Sequence, residues 1–122
     1  MMTPDGTKLV HAELTVDGHK LFVCDEFDAS EGGTCKSLQT LGGTGVRVTL
    51  FVGDADATVQ RAVGAGARVD MPVQDMFRGA RYGKIVDPFG HDWGINQQVQ
   101  EQSPKETQSA ADEFFAKRRN GA

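Results

Sequence analysis

The sequence predicts an α+β fold, and three observations carry that prediction. Asp17-Gly18 separates two runs of alternating apolar and polar residues, the strongest short hairpin signal available. An alternating strand at Gly45 to Val52 runs directly into an Asp54-capped helical stripe. A second hairpin, Arg81 to Gln97, closes on Asp87-Pro88-Phe89-Gly90. That order of residues suits a type I turn: Asp first, Pro with its φ preset, Gly last. The composition agrees, since 15 glycines, 39% apolar and 25% charged residues in a chain of 122 suit one turn-rich domain with a modest core.

Taken in order, Thr7 to Val16 is a strand with Val10, Ala12, Leu14 and Val16 on one face and Leu9, His11, Glu13 and Thr15 on the other. Both central residues of a type I′ turn take positive φ, so Asp17-Gly18 returns His19 to Cys24 antiparallel. A two-residue turn fixes the register: Leu14 opposite Leu21, Ala12 opposite Val23, Glu13 opposite Phe22, His11 opposite Cys24. Asp25 to Gly45 is polar, without sustained period, and longer than ordinary loops. It reads as a linker or as a lid over a site. Gly42-Gly43-Thr44-Gly45 precedes a strand rather than a helix, so it is a turn and not a phosphate cradle.

The strand 46–52 sets Val46, Val48, Leu50 and Val52 against Arg47, Thr49 and Phe51. In the helix 54–65, Ala55, Val59, Ala62 and Val63 form the stripe expected to pack on a sheet, and Gly64 and Gly66 end it. Val69 to Met76 reads as an edge strand, because Pro72 cannot donate to a ladder. In the closing hairpin, Trp93 and Ile95 share one face, and Asp92, Gly94 and Asn96 the other. From Ser103 the composition changes. Ser103-Pro104-Lys105-Glu106 is a capping box with Pro at the first helical position, and Lys117-Arg118-Arg119 complements the helix C-terminus. This helix, 103–120, is expected to dock Phe114 and Phe115 on the body or on a partner subunit.

Arg81-Tyr82-Gly83 leading into Asp87-Pro88-Phe89-Gly90-His91, with Trp93 two residues later, resembles the closing hairpin of the glyoxalase/bleomycin-resistance/extradiol-dioxygenase (vicinal oxygen chelate) superfamily, and within it the PhnB-like branch. The resemblance implies βαβββ modules forming a curved mixed sheet, here followed by a C-terminal helix. The second module is complete over 46–98. Residues 1–26 match only the closing strands of a first module, with 27–45 as linker. Val16 to Val23 lies over Pro88 to Ile95, Gly18 on Gly90 and His19 on His91. On that overlay, the opening strand and helix of the first module fall before residue 1. A truncated gene, a start assigned too late and a protein completed by its partner all fit. In the last case Val10, Ala12, Leu14, Leu21 and Val23 form an apolar face without a helix of its own. The expectation is a homodimer through the incomplete first module, with the C-terminal helix as a candidate cover.

Metal-using members of that superfamily bind one divalent ion through four inward side chains. Carried over by position, the resemblance puts three of these at Phe22, Arg47 and Gly94, and the fourth on the missing strand. Arg has no acceptor, and Phe and Gly offer no ligand atom. No metal and no cofactor are therefore expected. His11 and Glu13 share a strand face and are weak candidates for acid/base catalysis or cavity lining. Cys24 has no cationic neighbour in sequence to activate it.

What remains is a ligand-binding face of Arg47, Thr49, Phe51, Asp92 and Asn96, with Phe77, Arg78, Arg81 and Tyr82 at its rim. Arg47 either fixes an anionic or carbonyl group of a planar ligand or pairs with Glu13 or Asp92. The expected function is metal-free binding of a small molecule, of the sequestering or resistance type. The alternatives are an enzyme of the same fold using side-chain acid/base groups, and a truncated, non-catalytic assembly protein. The net charge of −4 argues against nucleic acid or an anionic membrane as partner. No apolar run approaches the roughly 18 residues of a bilayer span. Met1-Met2-Thr3-Pro4-Asp5-Gly6 lacks a signal-peptide core, and two cysteines make no disulfide framework, so the expected location is cytoplasmic.

Overall fold

The computed structural model describes residues 1–76, 79–98 and 103–121. The chain divides into two compact units, Met1–Gly42 and Gly43–Ala122, with the boundary inside the stretch read as a linker. Six strands among the described residues fall into two hydrogen-bonded sheets, one of two strands and one of four.

In the first unit, β1 (Ala12–Val16) and β2 (His19–Val23) pair antiparallel around Asp17 (φ 50°) and Gly18 (φ 78°). Both central residues have positive φ, as the turn chemistry requires. The register is the expected one: Ala12 opposite Val23, Glu13 opposite Phe22, Leu14 opposite Leu21. The first strand is shorter than the alternation suggested. Residues before it turn back on themselves: the Thr3 amide donates to the Lys8 carbonyl at 2.8 Å, and Met2 bridges Leu9. Asp5 anchors that turn, accepting from the Thr3 hydroxyl and from the Thr7 hydroxyl and amide. Those bonds, Thr3 first, lower its carboxyl pKa to about 2.

The polar stretch that follows is not wholly irregular. It holds a 3₁₀ turn, Ala29–Glu31, and a one-turn helix, α1 (Leu38–Leu41). Ser37 caps α1 by accepting from the Thr40 amide at 3.2 Å, and Gly42 (φ 74°) ends it. Ser37 and Gly42 are both visible in the sequence, but four residues are too few to show a helical period.

The second unit runs β3 (Arg47–Phe51), α2 (Ala55–Gly64), β4 (Arg68–Met76), β5 (Ala80–Val86), β6 (Asp92–Gln98) and α3 (Pro104–Gly121). The sheet order is β3-β6-β5-β4, with β3 parallel to β6 and the other pairs antiparallel. Parallel pairing needs a crossover, and α2 is part of it. The helix starts where predicted: the Asp54 side chain accepts from the Ala57 amide at 3.0 Å, and Gln97 Oε1 accepts from the Ala55 amide at 2.9 Å. Its buried stripe is Ala55 and Val59, packed with Ile85 and Ile95; Leu50, Val52, Ala62, Val73 and Trp93 close around them. Val63, placed in that stripe by the sequence, is exposed. It lies one residue, about 100° of helix, beyond Ala62, and so rotates off the sheet.

β4 is an edge strand, as Pro72 required, and its pairing with β5 shifts register on both sides of Met71. Val73 and the Met71 carbonyl there press on Gly83, where a Cβ would lie 2.9 Å from Val73 Cγ2. The turn after β5 is held by Asp87. Its carbonyl accepts from the Gly90 amide at 3.1 Å, and its carboxylate accepts from the amides of Phe89 and His91 and from the Trp93 indole at 3.0 Å. Burial alone would raise this carboxyl's pKa; the bonds from Trp93, His91 and Phe89 outweigh it and hold it below the ordinary value. α3 begins at its capping box, with Ser103 Oγ accepting from the Glu106 amide at 3.1 Å. Phe114 and Phe115 meet edge to face, and Arg118 lies over the Phe114 ring. No helix among the described residues is long and apolar enough to cross a membrane.

Candidate functional site

Helix α2 takes one face of the four-stranded sheet, and strand alternation sends a different set of side chains to the other. The registers put Arg47 beside Asp92, Thr49 beside Gly94, Phe51 beside Asn96, and Asn96 beside Tyr82. So six of the residues predicted as ligand-binding, Arg47, Thr49, Phe51, Tyr82, Asp92 and Asn96, do share one face. Exposure on that face falls from edge to centre. Phe51 on the edge strand is 69% exposed, whereas Tyr82 and Asn96 are 8% and 4% exposed.

Two of the remaining candidates, Phe77 and Arg78, lie outside the described residues. The third, Arg81, is not at the rim. It sits opposite Gln97 on the α2 side of the sheet, where its Nε and one terminal nitrogen donate to the two Asp56 oxygens at 3.1 Å. Its other terminal nitrogen reaches Asp75 at 2.9 Å. The Asp56 bonds, then those to Asp75, raise its pKa and commit it to holding the helix. Strand parity in the sequence already separates Arg81 from Tyr82; Asp56, in the first turn of α2, is the partner that sequence reasoning missed.

Arg47 resolves the choice left open by the sequence: its Nε and a terminal nitrogen both donate to Asp92 Oδ2 at 3.1 Å. The Asp92 bond raises the guanidinium's pKa, and Tyr82 adds to it. The pair is close to neutral, so Arg47 itself does not offer an uncompensated cation for an anionic ligand. The second carboxylate oxygen, Asp92 Oδ1, is buried and has no hydrogen-bond partner among the described residues.

Gly94 explains how the middle of the face is built. A Cβ at this position would run into the Tyr82 hydroxyl and lie 2.9 Å from Thr49 Oγ1 and 3.0 Å from Tyr82 Cε2. The Tyr82 ring therefore lies across the strand, in the space a Gly94 side chain would fill. The same position is where the superfamily resemblance places a metal ligand. With an arginine committed to Asp92 on one side and a tyrosine lying over a glycine on the other, these residues do not fit a divalent ion. Among the described residues, no group of three or more His, Cys, Asp or Glu side chains converges to hold one.

The weak catalytic candidates lie in the first unit. His11 Nε2 is 3.5 Å from Glu13 Oε1, and Glu13 also pairs with Lys20 at 3.7 Å. His11 meets the Phe22 ring edge to face at 4.9 Å. The two residues are brought together, on the exposed surface of a hairpin rather than in a cleft.

A family model of the Glyoxalase/Bleomycin resistance protein/Dioxygenase superfamily matches residues 3–95. The chain belongs to this superfamily. An uncharacterised Mycobacterium bovis protein, Mb0911c, is 43% identical over 107 residues, covering 88% of this chain and 70% of that one. The Mycobacterium tuberculosis protein Rv0887c, also uncharacterised, is 43% identical over the same length, and the chain spans 62% of it. Among solved structures, PA1353 from Pseudomonas aeruginosa superposes with a TM-score of 0.55 at 26% identity, over 84% of this chain and 71% of that one. TioX from Micromonospora sp. ML1 superposes with a TM-score of 0.57 at 25% identity, over 81% and 76%. The α+β architecture, with six strands and a C-terminal helix, is that of the glyoxalase fold.

Proposed function

We propose that the chain is a small-molecule binding protein of the glyoxalase fold that works without a resident metal. The observation that carries this reading is on the face away from α2. An exposed aromatic ring, Phe51, stands on the same face as a buried carboxylate oxygen, Asp92 Oδ1, that lacks a donor. Buried acceptors are normally satisfied, so an unsatisfied one on a sheet face supports a bound N–H or O–H group as its partner. The bound molecule is then planar and carries a hydrogen-bond donor, and Arg47 is not the group that binds it, because Asp92 already balances that cation. Superfamily members named for bleomycin resistance make sequestration the natural form of such a function. The Asp-Pro-Phe-Gly-His hairpin supports a place in the PhnB-like branch.

The test is a screen of planar heteroaromatic fragments by ligand-observed NMR. Hits are expected to lose at least five-fold in affinity in Phe51→Ala or in Asp92→Asn, since the two side chains stand four residues apart along the paired strands, about 13 Å. Hits that bind both variants as well as wild type would place the site elsewhere. Adding Mn²⁺, Zn²⁺ or Ni²⁺ is expected to change neither the hit set nor the melting temperature; metal-dependent binding would end the metal-free reading.

The functional unit we propose is a homodimer. Phe22 is 65% exposed on the first unit's hairpin, with Leu14 and Val23 also open to solvent, and Phe115 is 53% exposed on α3. Apolar exposure of this kind favours association. Light scattering coupled to size exclusion decides the matter, and a cooperative monomer at micromolar concentration would refute it. A second reading rests on the His11–Glu13 pair as acid and base. It requires an activity with a pH dependence that disappears in His11→Ala.

A further inference from the structure

Both cysteines of the chain line one cavity. It lies in the first unit, has a volume of about 330 Å³, and is walled by Val10, Cys24, Asp25, Phe27, Thr34 and Cys35 among others. Neither cysteine is in a disulfide and both are exposed, so a small reagent reaches them; the Cys35 sulfur lies 4.0 Å from the Thr34 hydroxyl. Two contacts hold the segments that carry them side by side. Gly33 packs so closely on Phe27 that a Cβ there would collide with the Phe27 carbonyl. Glu26 reaches across to the same return segment, accepting from the Ser37 amide at 3.2 Å and the Thr40 hydroxyl at 2.8 Å. Residues 24–27 and 33–37 are thereby clamped at two points, with Cys24 on one segment and Cys35 on the other.

Two thiols in one cavity suit a small set of chemistries. A metal centre wants three or four ligands, and no such group converges among the described residues. Mutual oxidation needs only the two sulfurs and a two-electron acceptor.

We propose that Cys24 and Cys35 are a redox pair, which a hydroperoxide converts to an intramolecular disulfide across this cavity. In the first step one thiolate attacks the peroxide O–O bond; the leaving oxygen takes up a proton and departs as water from hydrogen peroxide, or as the alcohol from an organic hydroperoxide, and the sulfur becomes a sulfenic acid. In the second, the other thiolate attacks that sulfur, forming the S–S bond and expelling the remaining oxygen as water. The two thiols lose two electrons and their two protons, and the peroxide gains both. A disulfide needs Cα atoms within about 7 Å. Both cysteines line the same cavity, on segments joined at Gly33–Phe27 and at Glu26–Ser37, and drawing those segments together across it is the movement the bond requires. Its consequence is to tie the 25–34 segment down and close the cavity.

The experiment treats the full chain with hydrogen peroxide at low micromolar protein and reads the intact mass without reductant. Wild type is expected to lose the mass of two hydrogen atoms, stay a single chain on a non-reducing gel, resist alkylation at both thiols, and yield one peptide linking Cys24 to Cys35. Dithiothreitol reverses all four changes. Cys24→Ser and Cys35→Ser should instead gain oxygen on the remaining sulfur. The oxidised wild type should melt several degrees higher than the reduced form, a gain both variants lack. Disulfides formed only between chains, sulfinic acid on each cysteine with no linking peptide, or an unchanged melting temperature would overturn the proposal.

Discussion

The two units contain the same kind of element, an antiparallel β-hairpin, and they use it differently. In the second unit the β5–β6 hairpin is backed by α2, and every buried residue of the described chain lies there: Ala55, Val59, Ala80, Tyr82, Ile85, Ile95 and Asn96, with Gly79, Gly83 and Gly94. In the first unit the β1–β2 hairpin has correct turn chemistry and correct register, and none of its side chains is buried. Pairing alone does not make a core. A hairpin satisfies its backbone and sets its faces, but a helix or another sheet must cover one face before burial contributes stability. The first unit is held by hydrogen bonds and turns such as the Asp5 anchor and the Leu9–Asp25 exchange.

The sharpest way to break this comparison is to truncate matching apolar residues on the two hairpins. Ile95→Ala should cost about 3–5 kcal/mol, since Ile95 is 1% exposed within the α2-covered core. Leu14→Ala, half-exposed on β1, should cost less than about 1 kcal/mol. Urea unfolding of both variants gives the ratio. Equal costs would mean that the first unit's hairpin is covered after all, for instance in a dimer, and the difference should then appear only on dilution.

Next in size is the turn on which the second hairpin closes. Asp87→Ala removes the acceptor of the Trp93 indole and of two amides, and should cost about 2–3 kcal/mol. Its pH dependence has a defined sign. The folded carboxyl titrates below its unfolded value of about 3.9, so its contribution is complete above that pH and is lost as the pH falls through the folded pKa. Stability measured from pH 6 downward should show a shallower acid limb in Asp87→Ala than in wild type. Identical limbs would mean that the Asp87 bonds do not survive in solution.

Smaller again is the effect at Gly94. Adding a methyl there should cost about 1–3 kcal/mol by displacing Tyr82. Tyr82→Phe removes the atom that the new methyl meets first. The double variant Gly94→Ala/Tyr82→Phe should therefore recover part of the loss, a coupling read from a double-mutant cycle. Additive costs would mean that Tyr82 does not lie over Gly94.

Much of this was legible in the sequence because the signals were local. Asp17-Gly18 fixed a register to the residue, Asp54 and Ser103 marked helix starts, and Pro72 marked an edge strand. Side-chain commitments across elements were less legible. Arg47 on the predicted face and Arg81 at its rim both looked like ligand-facing cations, yet one pairs across β3–β6 and the other reaches back to α2. Only the sheet order, with β3 parallel beside β6, makes Asp92 the neighbour of Arg47. Cys24 and Cys35 gave no motif either, because a cavity built from an irregular segment has no period to read.

The smallest expected effect tests where the covered stripe of α2 ends. Val63 follows Ala62, and on spacing alone it belongs with Ala55 and Val59. The structure turns it outward, at 45% exposure, one step past the sheet. A β-branched residue in an exposed helix position is slightly unfavourable relative to alanine. Val63→Ala should therefore be neutral to stabilising by about 0.5 kcal/mol, whereas Val59→Ala, four residues back and 8% exposed, should cost about 2 kcal/mol or more. A loss at position 63 comparable to that at 59 would place a further surface over the outer side of α2. The helix that distinguishes the second unit from the first would then itself be covered by a partner.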